Sequence, residues 1–199
     1  NQMMLKLLKY ISIIISLICS NVFGQTINRY GTTAANFLEI GVGSRATSMG
    51  DAYVAVANDV SSIYWNPAGL SNVSNSSALF MVQPWLVDID MLFAGGAVVV
   101  PNVGVLGLGI THLDYGEMDV TNLEYQDGTG ERFGASDMAA TFTFSRKIVS
   151  WFSFGSSMKY ISSNIWHSSA SAFAVDLGVL VNTKFFSFTG NDKDGMNIG

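Results

Sequence analysis

The stretch Asp137-Met-Ala-Ala-Thr-Phe-Thr-Phe-Ser145 decides the fold. Met138, Ala140, Phe142 and Phe144 alternate in it with Asp137, Ala139, Thr141 and Thr143. Successive side chains of a strand point to opposite faces, so a period of two with one apolar face is the mark of β-structure. The same alternation recurs upstream, where Leu106, Leu108 and Ile110 alternate with Gly107, Gly109 and Thr111. Downstream, Phe152, Phe154, Met158 and Tyr160 alternate with Ser153, Gly155, Ser157 and Lys159. Phe173, Val175, Leu177, Val179 and Val181 likewise alternate with Ala172, Ala174, Asp176, Gly178 and Leu180. The second face is the informative one. It is Gly, Ala, Ser and Thr with an occasional Asp or Lys, too poor in charge for a sheet surface in water. A barrel with lipid outside and a small-residue, polar interior accounts for both faces. The alternative is a secreted soluble β-sandwich.

Outward from these runs, strands are predicted at about 78–85, 89–100, 104–114, 137–146, 151–162 and 171–181. The connections at 101–103 and 147–150 are tight. The connection at 115–136 is long and acidic, and 163–170 is intermediate. Short turns alternating with longer loops fit an outer-membrane barrel with periplasmic turns and external loops; 86–88 is the exception, short where an external loop is expected. Trp85, Tyr115, Trp151 and Trp166 near strand ends suit interfacial girdles or ordinary packing equally. Six strands cannot close a membrane barrel, for which about eight is the minimum, and each backbone group left unpaired in lipid costs several kcal/mol. The expectation is an all-β, antiparallel transmembrane barrel of which this chain holds the N-terminal portion, about six strands.

Composition agrees. Of 199 residues, 49% are hydrophobic and only 13% charged, against about 25% charged in an ordinary soluble domain. No apolar run reaches the roughly 18 residues of a transmembrane helix. Glycine is frequent, at 20 residues, and proline scarce, at 3. The net charge of −5 with scattered Lys and Arg gives nucleic acid no footprint. The N-terminus reads as a secretory signal: Lys6 and Lys9 form a basic region, Ile11 to Ile18 an apolar one, and Val22 and Gly24 precede a cut that leaves Gln25 first. A signal anchor and a lipoprotein start at Cys19 are the alternatives. If Cys19 leaves with the signal, the mature chain has no cysteine and hence no disulfide or thiolate chemistry. The domains are then a signal peptide at 1–24, a Gly-, Ala-, Ser- and Asn-rich segment at 25–77, and a partial barrel at 78–199.

Within the middle segment, Gly41 to Leu70 reads G-V-G-S-R-A-T-S-M-G-D-A-Y-V-A-V-A-N-D-V-S-S-I-Y-W-N-P-A-G-L. Asp59 can cap a short helix from Val60 to Trp65, and Asn66 can cap a further turn that has Pro67 at its first position. Gly41, Gly43 and Gly50 permit close backbone approach. Ala68 and Gly69 can pack on small inward residues such as Gly107 and Ala174. This segment resembles the signature at the start of the PorV/PorQ family, a branch of the FadL-like outer-membrane proteins. The matching pieces are Gly43 to Ala46, with Arg45 among them, Met49-Gly50, Ala52 to Ala57, Asp59, and Tyr64 to Leu70, in which Trp65-Asn66-Pro67-Ala68-Gly69 is the most specific block. Gly104 to Gly109, Gly128-Thr-Gly130, Lys159 to Ile161 and Asp176 to Gly178 also resemble the family. Asp51 and Asn58 depart from it. The resemblance implies a FadL-like barrel in the cell outer membrane of a Gram-negative bacterium. It implies that residues 25–77 form a hatch held inside that barrel, with Arg45, Trp65, Asn66, Pro67, Ala68 and Gly69 as its gating motif.

Catalytic signatures are missing. Gly41-Val-Gly43 is no nucleotide loop, there is no G-x-S-x-G elbow, and His112 and His167 lack metal-ligand spacing. No catalytic residue, metal or cofactor is expected, and the chain does not read as an enzyme. Asp137, Lys159 and Asp176 fall on the inward face, where charges need partners, and Arg45 of the hatch is the expected one. Asp114, Glu117, Asp119, Glu124, Asp127 and Glu131 form a solvated acidic loop or a weak divalent-ion site. Two functions remain in view. Resemblance implies a component of protein secretion of the type IX kind, with secretion-apparatus proteins and secreted cargo as partners. The alternative is a FadL-like channel for long-chain fatty acids or other hydrophobic small molecules. Outer-membrane lipid is a partner in both, nucleic acid in neither.

Overall fold

The structure, a computed structural model, describes residues 35–87, 89–183 and 196–199. The predicted signal peptide and the first residues of the predicted hatch lie outside the described residues. Seven strands form one sheet in chain order: β1 (Ser77–Pro84), β2 (Asp90–Val100), β3 (Gly104–Asp119), β4 (Arg132–Val149), β5 (Phe152–Ile165), β6 (Ser168–Thr183) and β7 (Met196–Ile198). Every neighbouring pair is antiparallel, and the sheet curls into a half-barrel. Short connections between successive runs make hairpin pairing the cheapest assembly.

The register keeps the two faces apart. Gly96, Leu108, Phe142, Met158 and Val175 lie side by side across five strands, and Ala97, Gly107, Thr143, Ser157 and Asp176 form the row next to it on the opposite face. A slip of one residue in any pair would exchange those faces along the whole strand, so the alternation itself fixes the register.

The strands run further than the alternation alone predicts. β3 and β4 continue to Asp119 and from Arg132, so the connection shrinks from 115–136 to 120–131. The added pairs are Glu117 with Gly134, Met118 with Phe133 and Asp119 with Arg132, and the Arg132 guanidinium donates across the hairpin to Glu117 and to Asp119, each at 3.0 Å. Part of the acidic loop is therefore strand, with a register shift between Asp114 and Glu117. The connection expected at 163–170 closes to Trp166-His167, whose rings stack at 4.7 Å, while Trp166 also lies 6.0 Å from Phe133. Trp166 is thus a turn residue of the β5–β6 hairpin packed against the neighbouring strand β4, where its N–H donates to the Gly134 carbonyl at 3.1 Å. A seventh strand follows the six that were predicted, pairing Met196–Ile198 with the end of β6.

Ahead of the sheet comes a compact run with little regular structure: a 3-10 turn at Asn36–Glu39, helix α1 (Ser44–Thr47), helix α2 (Ser62–Trp65) and a 3-10 segment at Pro67–Asn72. No helix among the described residues is long and apolar enough to cross a membrane. The run covers the small-residue face of the sheet. Phe37, Val42, Val60, Ile63 and Leu70 are buried with Met91, Phe93, Val105 and Leu113 of the strands. Nothing described covers the other face: Phe80 and Leu108 are each 66% exposed, Leu177 72% and Phe173 80%.

Glycine placement makes this seating possible. A Cβ at Gly107 would lie 2.8 Å from the tip of Leu70 and 3.0 Å from that of Ile63. At Gly155 it would overlap the backbone of Pro67 and Ala68, and at Gly178 the side chains of Asn66 and Pro67. Side-chain tips can swing aside, whereas backbone cannot. Gly155→Ala is therefore expected to destabilise the fold by about 1–3 kcal/mol as an overpacked site, and Gly107→Ala by clearly less. Denaturation midpoints of the two variants in detergent check the order; equal midpoints would show that the run does not sit on β5.

Candidate functional site

The segment around Asn66 holds the covering run to the sheet, and its local geometry follows from the sequence. The Asp59 carboxylate accepts the Ser61 N–H at 2.9 Å and the Ser61 hydroxyl as well. It thereby caps the first turn, which is tight: Ile63 N–H donates to the Val60 carbonyl at 3.1 Å. The regular helix begins at Ser62, two residues later than expected. At its end Asn66 takes an extended backbone, and its Oδ1 accepts the Ala68 N–H at 3.0 Å with Pro67 at the first position of the next turn. That cap is the one the sequence predicts.

The other half of the Asn66 amide does what no sequence signal shows. Nδ2 donates to the Val54 carbonyl at 3.0 Å and to the Val179 carbonyl of β6 at 3.1 Å. One buried side chain thus caps the next turn, ties it to the preceding loop and clamps both to the sheet. Ser145 of β4 adds a fourth tie, its hydroxyl donating to the Ala68 carbonyl at 3.1 Å. Ala68 is fully buried. The expected packing of Ala68 and Gly69 on Gly107 and Ala174 needs correction. Gly107 receives Leu70 and Ile63, Gly155 and Gly178 receive Asn66, Pro67 and Ala68, and Gly69 leaves room for the Ala57 carbonyl and the Ser62 hydroxyl. Side-chain size on the outside of a turn cannot be read without knowing which strand lies beneath it.

Trp65 donates its indole N–H to the Val42 carbonyl at 3.0 Å, and its ring meets Tyr53 and Tyr64 edge-on at 6.1 and 5.3 Å. The Tyr64 hydroxyl lies 2.6 Å from the Leu38 carbonyl and 2.9 Å from that of Ile40. Burial pushes its pKa well up, and the charges of Asp51 and Glu39 add to the effect, so the phenol stays a donor at any physiological pH.

The charged residues assort differently from expectation. Lys159 pairs with Asp176 at 2.7 Å, a diagonal contact between β5 and β6, with its Nζ 6.0 Å from the centre of the Tyr64 ring. Asp137 accepts the Tyr115 hydroxyl at 2.7 Å. Arg45 meets none of the three. Its Nη1 donates to Asn58 at 3.0 Å and stands 3.8 Å from the Asp59 carboxylate, and the guanidinium lies 5.4 Å over the Tyr53 ring. The sheet charges find partners within the sheet because cross-strand neighbours are nearer than anything the covering run can offer. A cavity of about 370 Å³ lies beside this contact, lined by Tyr64, Trp65, Asn66, Lys159 and Asp176 among others. Among the described residues no group of three His, Cys, Asp or Glu gathers as a metal site. Neither a scan of protein-family models nor a comparison with curated proteins gives a match for this chain.

Two substitutions separate the roles of Asn66. Asn66→Ser keeps an oxygen that can cap and loses the two amide donors; Asn66→Ala loses both. The serine variant is expected to cost about 1–2 kcal/mol for the orphaned carbonyls, and the alanine variant about 0.5–2 kcal/mol more. Chemical denaturation measures the order. A serine variant as stable as wild type would mean that the bonds to Val54 and Val179 contribute nothing.

Proposed function

We propose that this chain is an outer-membrane β-barrel protein of PorV/PorQ type, non-catalytic, in which the run that covers the inner face acts as a hatch and which serves protein secretion at the outer membrane. One observation carries the membrane reading: a single sheet has its small-residue face under a packed segment and its large apolar side chains open. Phe80, Val82, Leu108, Ile110, Phe142, Met158, Phe173, Val175 and Leu177 are all exposed on that second face. An exposed apolar area that runs from β1 across to β6 suits a membrane or assembly surface, and its alternation with a small-residue inner face suits a barrel. The secretion role rests on the resemblance of Trp65 to Gly69 and the pieces around it to that family.

Two residues on opposite faces of β6 test the membrane reading. Val175→Arg, near the middle of the strand on the open face, is expected to cost about 2–4 kcal/mol in lipid, and Ala172→Arg, on the inner face but clear of the hatch, close to nothing. Folding titrations into lipid vesicles give both values; equal tolerance would rule out a lipid-facing β6.

The cavity beside Tyr64 and the Lys159–Asp176 pair favours a second reading, a channel for hydrophobic small molecules, because it leaves space where hatch and wall meet. Loosening the hatch by about 0.5–2 kcal/mol raises a two-state open population roughly twofold to thirtyfold. In the secretion reading Asn66→Ala lowers capture of secreted cargo, whereas in the channel reading it raises dye uptake. A variant that inserts normally and changes neither would confine Asn66 to folding.

A further inference from the structure

We infer that a polar cavity at the tight-turn end of the sheet binds an anionic amino sugar, one that bears a free carboxylate on a substituent of its ring. The cavity has a volume of about 440 Å³ and is lined by Arg45, Lys147 and Trp151 together with Asn58, Asn72 and Asn182, among others. It is separate from the cavity beside Tyr64.

Charge sets the sign of the ligand. Among the described residues no Asp or Glu lines the cavity, and Lys147 has no ion pair. Arg45 is partly answered by Asp59, at 3.8 Å, and that carboxylate lies outside the lining. Among the described residues the lining therefore carries a surplus positive charge, and an anion entering the cavity gains charge-assisted bonds from a guanidinium and an ammonium.

The other lining groups narrow the class. Trp151 is 57% exposed, on a turn fixed by the Asn182 N–H, which donates to the Trp151 carbonyl at 2.8 Å. A rigid indole held open to solvent is a platform for a flat apolar face. Asparagine amides both donate and accept, which matches hydroxyl and acetamido groups; a bare phosphate only accepts. A platform, a rim of amides and two cations together fit a sugar ring with C–H bonds on its face, hydroxyls at its edge and one carboxylate. The source of the sugar rests on the proposed membrane reading. In that reading the tight turns face the periplasm, where cleavage of the stem peptide from the cell-wall glycan frees the lactyl carboxylate of its muramic acid units.

Saturation-transfer NMR on the mature protein in detergent tests this with two disaccharides. One is N-acetylglucosaminyl-N-acetylmuramic acid, and the other is N,N′-diacetylchitobiose, which lacks the lactyl carboxylate. The acidic sugar is expected to bind roughly tenfold more tightly than the neutral one, the size of one charge-assisted contact. Lys147→Gln should remove most of that difference and Lys147→Arg should keep it, while Trp151→Ala should abolish transfer to the ring protons of both sugars. No transfer to either sugar, equal binding of the two, or binding unchanged in Lys147→Gln and Trp151→Ala would each overturn the site. Binding as expected in a protein whose tight turns prove to face outward would leave the site standing and overturn the cell-wall source alone.

Discussion

The amide of Asn66 is the point where two parts of the chain become one structure. Its oxygen closes the turn that begins with Pro67, and its nitrogen reaches back to Val54 and across to Val179 on β6. Residues 54 and 179 are far apart in sequence, and one side chain that is 3% exposed joins both. The contact is possible only because Gly155 and Gly178 leave the sheet surface bare beneath Pro67 and Ala68. A buried amide with all its polar atoms satisfied is a sharp constraint, since a replacement must supply one acceptor and two donors in the same place. The short helical run has too few residues to be stable alone. Its order comes from being seated on the sheet.

The sheet in turn depends on the run that covers it. Small residues on the inner face lower the cost of bringing another backbone close, and they leave little for the strands to bury by themselves. Ile63 and Leu70 enter the hollows at Gly107 and Gly109 and supply the missing apolar contact. The outer face has the opposite character, with large side chains and no described partner. Under the proposed reading, lipid is that partner, and hatch and bilayer each complete one side of the same strands.

Much of this was legible in the sequence. The alternation at 137–145, 152–160 and 171–181 assigns faces that the burial of β4, β5 and β6 reproduces, and the Asn66-Pro67 cap appears as drawn from its residue types. The ends of β1 and β2 were legible to within a residue, but the far ends of β3 and β4 were not, because past Asp114 the ladder runs through residues with no alternation around them. The partners of the inner charges were misread for a related reason. A one-dimensional pattern places Lys159 and Asp176 on one face but cannot show that the register sets them diagonally next to each other, nearer than Arg45. The seat at Gly155 and Gly178 was invisible as well: both glycines sit in ordinary alternation, and only the fold brings the backbone of Pro67 above them.

The central claim is that β6 separates two environments residue by residue. Spin labels placed singly along 172–179 of the protein in lipid vesicles measure it directly, by comparing relaxation by dissolved oxygen, which concentrates in lipid, with relaxation by a water-soluble nickel chelate. The account predicts a period of two, with oxygen dominant at Phe173, Val175, Leu177 and Val179 and weak at Ala172, Ala174, Asp176 and Gly178. Oxygen and chelate access that is level along the strand, or dominated by the chelate at Val175 and Leu177, would contradict it.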